Sequence, residues 1–106
     1  MATYILYGSK VSPAEAKGIL EELLALQFEA RESDYQNGEY FRAGNKAGEH
    51  FELKKNVDPF DGDPVEMKFS EFPTLLYINA SLRSEELKKI VGPARGGFTL
   101  LRHEDF

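Results

Sequence analysis

A chain of 106 residues of which 42% are hydrophobic has room for one globular domain with a hydrophobic core. Because it contains no cysteine, a disulfide framework, thiolate zinc sites and cysteine nucleophiles are excluded, and no segment reaches the roughly 18 apolar residues of a membrane span. The first residues also lack the basic and apolar regions of a secretion signal. We therefore expect one cytoplasmic domain over residues 1–106.

The net charge of −5 is distributed unevenly along the chain. Residues 28–72 hold eleven acidic and six basic residues, whereas acidic and basic residues balance outside this segment. Since nucleic acids bind to basic surfaces, this distribution disfavours a nucleic-acid partner and favours a cationic one. The alternative interpretation is that the acidic residues serve only solubility.

The first two predicted elements are a strand and a helix. Residues 3–7 form a short apolar run that ends at Gly8, as expected of a buried strand. Ser12, followed by a proline and then by Glu15, is typical of a helix start, because serine caps the first N–H groups and proline loses no hydrogen bond there. The apolar face of this helix has residues at helical spacing: Ala16, Ile19, Leu20, Leu23 and Leu24.

The middle of the chain predicts a three-stranded antiparallel meander. Alternating apolar and charged residues indicate strands at 28–31 and 51–55, and residues 40–42 indicate another strand between them. Asn37-Gly38 is typical of a hairpin turn because both residues tolerate positive φ, and residues 44–48 form a second turn.

Residues 57–73 predict a long exposed loop. Two prolines, a glycine and three aspartates near its start exclude a central strand, and Phe69, Phe72 and Pro73 close it. Loops of this length in small domains often have a function.

The last part of the chain predicts a second strand-helix unit and a final strand. Residues 74–78 are apolar throughout and indicate a central strand, and either Ser81 or Ser84 is expected to cap the helix that follows. Gly92-Pro93 ends this helix. Residues 98–101 predict the last strand, which precedes a charged tail.

Residues 3–20 and 74–91 align without gaps and mostly agree in their apolar positions, which indicates two similar βα units. The predicted fold is α+β. The two βα units and the inserted meander form one mostly antiparallel sheet of about five or six strands, and right-handed crossovers place both helices on one face.

Motifs for chemistry are missing from the sequence. His50 and His103 are its only histidines, and neither has a second metal ligand at helical spacing. The aspartates at 58–63 match a calcium loop only in part, because Phe60 occupies a position that needs an acid or amide. We therefore expect no metal, no cofactor and no enzymatic activity. The alternative is a small hydrolase or nuclease that uses His50 and His103 as general acid and base, and a catalytic pair of carboxylates also stays open.

A resemblance to a known family covers most of the chain. The sequence resembles small bacterial immunity proteins of polymorphic or contact-dependent toxin systems. The matching pieces are residues 28–35 (FEARESDY), 38–41 (GEYF), Gly48-Glu49 before residues 51–53 (FEL), Asn56, residues 72–79 (FPTLLYIN) and residues 100–102 (LLR).

The resemblance implies a cytoplasmic binding protein that neutralises a cognate toxin domain through an acidic surface. Toxin domains of this kind are frequently cationic nucleases, and immunity proteins need no catalytic residues. A further possibility is a subunit that buries the free face of the sheet, for example as a homodimer. Acidic and aromatic residues of the central segment are the expected contacts with the partner: Glu32, Asp34, Tyr35, Tyr40, Asp58, Phe60, Asp61 and Asp63.

Overall fold

The computed structural model describes residues 2–33, 38–45, 47–58 and 60–105, which form a six-stranded antiparallel sheet and two α-helices. The predicted α+β class is confirmed. The elements are β1 (Thr3–Ser9), α1 (Pro13–Leu24), β2 (Glu29–Ser33), β3 (Gly38–Gly44), β4 (His50–Lys55), a short 3-10 helix (Met67–Phe69), β5 (Thr74–Ser81), α2 (Ser84–Val91) and β6 (Thr99–Asp105). No helix in these ranges is long and apolar enough to cross a membrane.

The strand order is β2-β3-β4-β5-β1-β6, and every neighbouring pair is antiparallel. The predicted meander is confirmed as β2, β3 and β4, and β5 is a central strand, as expected. The strands of the two βα units, β1 and β5, lie side by side and antiparallel. Helix α1 therefore leads from β1 to the far edge of the sheet, and α2 leads from β5 across β1 to β6.

Helix α1 begins where the sequence predicts. The Ser12 side chain accepts a 3.2 Å hydrogen bond from the N–H of Glu15, and Ala25 ends the helix in the left-handed conformation. Of the predicted apolar face, Ala16, Ile19 and Leu20 are buried. Leu23 is 41% exposed, so the last turn contributes less to the core than expected.

The start of α2 differs from the prediction. Ser84 is its first residue and Arg83 precedes it without a side-chain cap, so Ser84 is not the capping residue. Ser81, at the end of β5, is occupied in another way: its hydroxyl donates to Glu49 at 2.8 Å and accepts from the N–H of Arg83 at 3.1 Å. The helix ends at Val91, before Gly92-Pro93, as predicted.

The hydrophobic core lies between the two helices and one face of the sheet. Strand residues on this face alternate with residues that point away, and each fully buried apolar side chain contributes roughly 1.5–3 kcal/mol. Phe28 and Phe51 pack edge to face with ring centroids 6.4 Å apart. The buried members of the core are Ile5, Tyr7, Ala16, Ile19, Leu20, Phe28, Ala43, Phe51, Leu53, Leu76, Ile78, Leu87, Val91 and Phe98.

The loop of residues 57–73 is exposed only in part, because its second half packs on the other face of the sheet. Phe72 is 6% exposed and lies against Gly8, where an added Cβ atom would stand 2.5 Å from the Phe72 ring. The Asn56 side chain holds this segment: it donates 3.0 Å hydrogen bonds to the carbonyl groups of Phe69 and Phe72 and accepts a 2.8 Å bond from the N–H of Glu66.

Strand β6 is longer than predicted. The expected charged tail is part of the strand, since Arg102, His103 and Glu104 pair with residues of β1. The terminal pair of the β1–β6 ladder is reinforced by a 2.7 Å hydrogen bond from the Thr3 hydroxyl to the Asp105 carboxylate. Charged residues are accommodated here because β6 is an edge strand and its side chains alternate between two exposed surfaces.

Candidate functional site

Residues 58–63 form a tight turn, which we call the acidic turn; Pro59 lies outside the described residues. The N–H of Asp58 donates to the carbonyl of Asp63 at 2.7 Å, and the N–H of Gly62 donates to the carbonyl of Asp58 at 2.8 Å. The carboxylates of Asp58 and Asp61 accept bonds from the N–H groups of Phe60 and Asp63 at 2.8 and 2.9 Å. Aspartate favours such turns because its side chain bonds the backbone two residues on.

The three carboxylates of the acidic turn have no cationic partner among the described residues. Asp61 and Asp63 are exposed and Asp58 is half-buried. Phe60, between them, is 82% exposed and is the most exposed large hydrophobic residue of the described chain. The turn therefore presents an aromatic ring beside three uncompensated negative charges, and backbone hydrogen bonds fix its shape.

Three other acidic residues of the central segment are neutralised by arginines. Glu29 pairs with Arg31 at 2.9 Å on an exposed strand. Two more ion pairs join distant parts of the chain, Glu49–Arg83 at 2.7 Å and Glu66–Arg102 at 2.9 Å. The charge excess of residues 28–72 is thus not one continuous patch, and the acidic turn is a part of it that stays unpaired.

The strand register places the end of the β2–β3 hairpin at the same end of the sheet as the acidic turn. Strands β3 and β4 are antiparallel, so the start of β3 lies beside the end of β4, which leads into the turn. Near this end Glu32 pairs directly with Glu39. Like charges opposite each other destabilise a sheet, so this pair adds to the negative potential at some cost in stability.

The predicted contact residues do not all lie on the same surface. Asp34 and Tyr35 lie outside the described residues, between β2 and β3. Tyr40 is half-buried and pairs with Arg31, whereas Glu32 pairs with Glu39, one position further along each strand. Because side chains alternate along a strand, Tyr40 and Glu32 project from opposite faces.

The two histidines of the alternative hypothesis are not brought together. His50 begins β4, next to the core residue Phe51, and so lies on the face away from the helices. His103 pairs with Ile5 and contacts Lys88 of α2, so it lies on the helix face. Three strand spacings separate β4 from β6, roughly 14 Å. This arrangement does not support a shared acid–base role.

Sequence reasoning missed a polar network on the sheet face away from the helices. Glu66 accepts a 2.5 Å bond from the Tyr77 hydroxyl and pairs through its other oxygen with Arg102. Burial, together with the bond to Glu66, raises the pKa of Tyr77 above its ordinary range. Lys54 lies 4.9 Å from the centre of the Tyr77 ring, and burial lowers the pKa of this lysine. These residues are 11 to 48 positions apart, so no local pattern indicates the network.

Metal ligation has no support in the described part of the chain. There, histidine, aspartate and glutamate residues do not form a group of three or more that could hold an ion.

No protein-family model matches this chain, and no curated protein or solved structure matches it either. The resemblance to immunity proteins therefore stays a prediction.

Proposed function

We propose that this protein is an immunity-type binding protein that neutralises a cationic toxin domain, and that the acidic turn is its main contact. The observation that carries the proposal is the exposed ring of Phe60 among three carboxylates without cationic partners. Three other acidic residues of the central segment, Glu29, Glu49 and Glu66, are already compensated by arginines. The carboxylates of the turn are the groups that a basic partner would neutralise on binding.

Preorganisation supports this role. Because backbone hydrogen bonds hold Asp58, Asp61 and Asp63 in one turn, little conformational entropy is lost when a partner binds. An exposed aromatic ring in the centre of such a site is typical of an energetic hot spot. The surrounding charges attract a basic protein and raise its association rate, and salt weakens this attraction.

The β2–β3 hairpin adds a second group of carboxylates at the same end of the sheet. Glu32 and Glu39 add two exposed carboxylates at this end of the sheet. A partner that neutralises both would relieve their repulsion, which gives a reason for an otherwise unfavourable pair. Tyr40 projects from the opposite face of β3 to Glu39, so only the two carboxylates of this hairpin are included in the proposed interface.

The test uses the toxin domain encoded next to this gene, with association measured by surface plasmon resonance at several salt concentrations. The test variant changes Asp58, Asp61 and Asp63 to asparagine, because asparagine keeps the oxygen that accepts the backbone bonds while it removes the charge. We expect the association rate to fall about tenfold or more and its salt dependence to weaken.

A matched control removes three charges elsewhere by changing Glu15, Glu22 and Glu86, all exposed on the helices, to glutamine. This variant should bind within about twofold of the wild type, because screening limits the reach of distant surface charges. The same loss in both variants would assign the effect to net charge and overturn the site. A neighbouring gene region without any toxin domain would overturn the function itself.

A further inference from the structure

A second candidate site lies on the sheet face away from the helices, at the opposite end from the acidic turn. It is an open cavity over strands β5, β1 and β6, with a volume of about 420 Å³. This volume falls within the range of small-molecule sites. The lining residues are Tyr4, Ile5, Leu6, Tyr77, Asn79, Arg102 and Glu104.

The strand register fixes the layout of this cavity. Leu6 pairs with Tyr77 on one side and with Arg102 on the other, so these three side chains form one row across the strands. Tyr4 pairs with Glu104 in the next row on the same face. Two rows over three strands span roughly 10 Å by 7 Å. The arrangement places a leucine between two tyrosines, an arginine and a glutamate.

The charge balance of the cavity is negative. Arg102 is neutralised by Glu66, whose carboxylate it binds at 2.9 Å. Glu104 is exposed and forms no ion pair with any described residue. The cavity therefore has one uncompensated negative charge, which stands directly opposite the Tyr4 ring.

The aromatic rings of the cavity also favour a positively charged ligand. Tyr4 is 38% exposed and Tyr77 is its diagonal neighbour across β1 and β5. Ring faces attract cations, and the chain already uses this interaction, since the Lys54 ammonium lies 4.9 Å from the centre of the Tyr77 ring. A carboxylate beside aromatic rings is a combination of groups that recognises an organic cation.

We propose that this cavity binds an organic cation with a short apolar stem, of the alkylammonium or alkylguanidinium class. The cationic head lies between the Glu104 carboxylate and the Tyr4 ring, and the stem packs on Leu6 and Tyr77. Such heads occur in free amines and in the lysine and arginine side chains of proteins. The site is separate from the acidic turn, so it goes beyond the proposed function.

The experiment is a titration of the full chain with n-butylammonium chloride, followed by two-dimensional amide NMR at constant ionic strength. We expect saturable shifts at Tyr4, Leu6, Tyr77 and Glu104, with a Kd on the order of 1–10 mM for a ligand of this size. A short peptide with one central lysine, titrated in parallel, distinguishes the two sources: tighter binding of the peptide points to a protein side chain, and equal or weaker binding points to a free amine.

Three variants make the test specific. Glu104→Gln should weaken binding roughly two- to fivefold, because the exposed ion pair with the ligand is lost. Tyr4→Leu should weaken it roughly two- to fivefold, since it keeps apolar contact and removes the aromatic face. Glu86→Gln removes one charge from α2, on the other side of the sheet, and should change the Kd by less than about twofold.

The proposal is wrong if n-butylammonium shifts none of these amides, or if Glu104→Gln and Glu86→Gln weaken binding equally. Stronger shifts with sodium n-butyrate would also overturn it, because the cavity would then be an anion site at Arg102. Failure of amine binding leaves the immunity function standing, since toxin association is measured on variants of the acidic turn.

Discussion

The Tyr77 hydroxyl donates a 2.5 Å hydrogen bond to Oε2 of Glu66, which fastens the 57–73 loop to β5. The second carboxylate oxygen, Oε1, accepts a 2.9 Å bond from Arg102 of β6. One side chain thus ties the loop to two strands that are separated by β1. Both partners of Glu66, Tyr77 and Arg102, also line the cavity over β5, β1 and β6.

Replacing Glu66 with glutamine should destabilise the protein by roughly 1–3 kcal/mol, because the amide has one acceptor oxygen in place of two and removes the negative charge that pairs with Arg102. Urea unfolding gives the free energy, and hydrogen exchange should show faster exchange in the second half of the loop. Glu71→Gln is the matched control within the same loop; its side chain is exposed, and a change below about 0.5 kcal/mol is expected. Equal costs for the two variants would contradict the anchoring role.

Gly8→Ala should cost roughly 1–3 kcal/mol of stability, since the new methyl group would stand 2.5 Å from the Phe72 ring and force it to shift. Thermal or urea unfolding measures the cost. The penalty should shrink in a Phe72→Ala background, where the ring is gone. Gly48→Ala is the control, because nothing lies within 4 Å of the added atom. An unchanged penalty in the double variant would refute the contact as its cause.

The Glu49 carboxylate should make stability depend on pH on the acid side. Hydrogen bonds from Arg83 and then Ser81 hold the pKa of Glu49 below its ordinary value of 4.5. A depressed folded pKa means that this contribution is complete above pH 4.5 and is lost as the pH falls through the folded pKa. Glu49→Gln should therefore lower stability at neutral pH and flatten the acid limb of the unfolding profile. An acid limb of unchanged slope would contradict this.

The Tyr77 hydroxyl should make the stability of the fold decrease as the pH rises on the alkaline side. Burial, and next the bond to Glu66, raises the folded pKa of Tyr77 above its ordinary value of 10.0. Its contribution to stability is complete below pH 10.0 and is lost as the pH rises through the folded pKa. Burial also raises the pKa of Tyr7, so phenolate absorbance should show two late-titrating tyrosines, and Tyr77→Phe should remove one of them. A late absorbance change of unaltered size in Tyr77→Phe would contradict the assignment to this side chain.

Local patterns predicted much of the fold. The first helix, the meander and the central strand β5 follow from periodicity, a serine cap and turn residues, and these act over a few positions. The prolines, glycine and aspartates near its start predict an exposed loop over residues 57–73, whereas the side chains of Asn56 and Glu66 hold its second half against the sheet. Their partners are up to 36 positions away along the chain.

The candidate site was likewise predictable from the sequence only in part. The composition of residues 58–63 predicts an exposed loop, and the structure forms a tight turn there because two aspartates bond the backbone nearby. The separation of His50 from His103 depends on strand order, which one sequence does not contain. The length of β6 was underestimated because its charged residues resemble a tail. In the structure, Arg102 and His103 find partners on the loop and on α2.

The bond between Thr3 and Asp105 joins residues 102 positions apart. Strand β1 lies inside the sheet, yet its neighbour β6 comes last in chain order among the six strands of this sheet. During translation the apolar strand β1 therefore keeps one edge unpaired until β6 has emerged. A product truncated before β6 would expose this edge permanently and be prone to aggregation. We expect cells to depend on chaperones or proteases for such fragments more than for the intact chain.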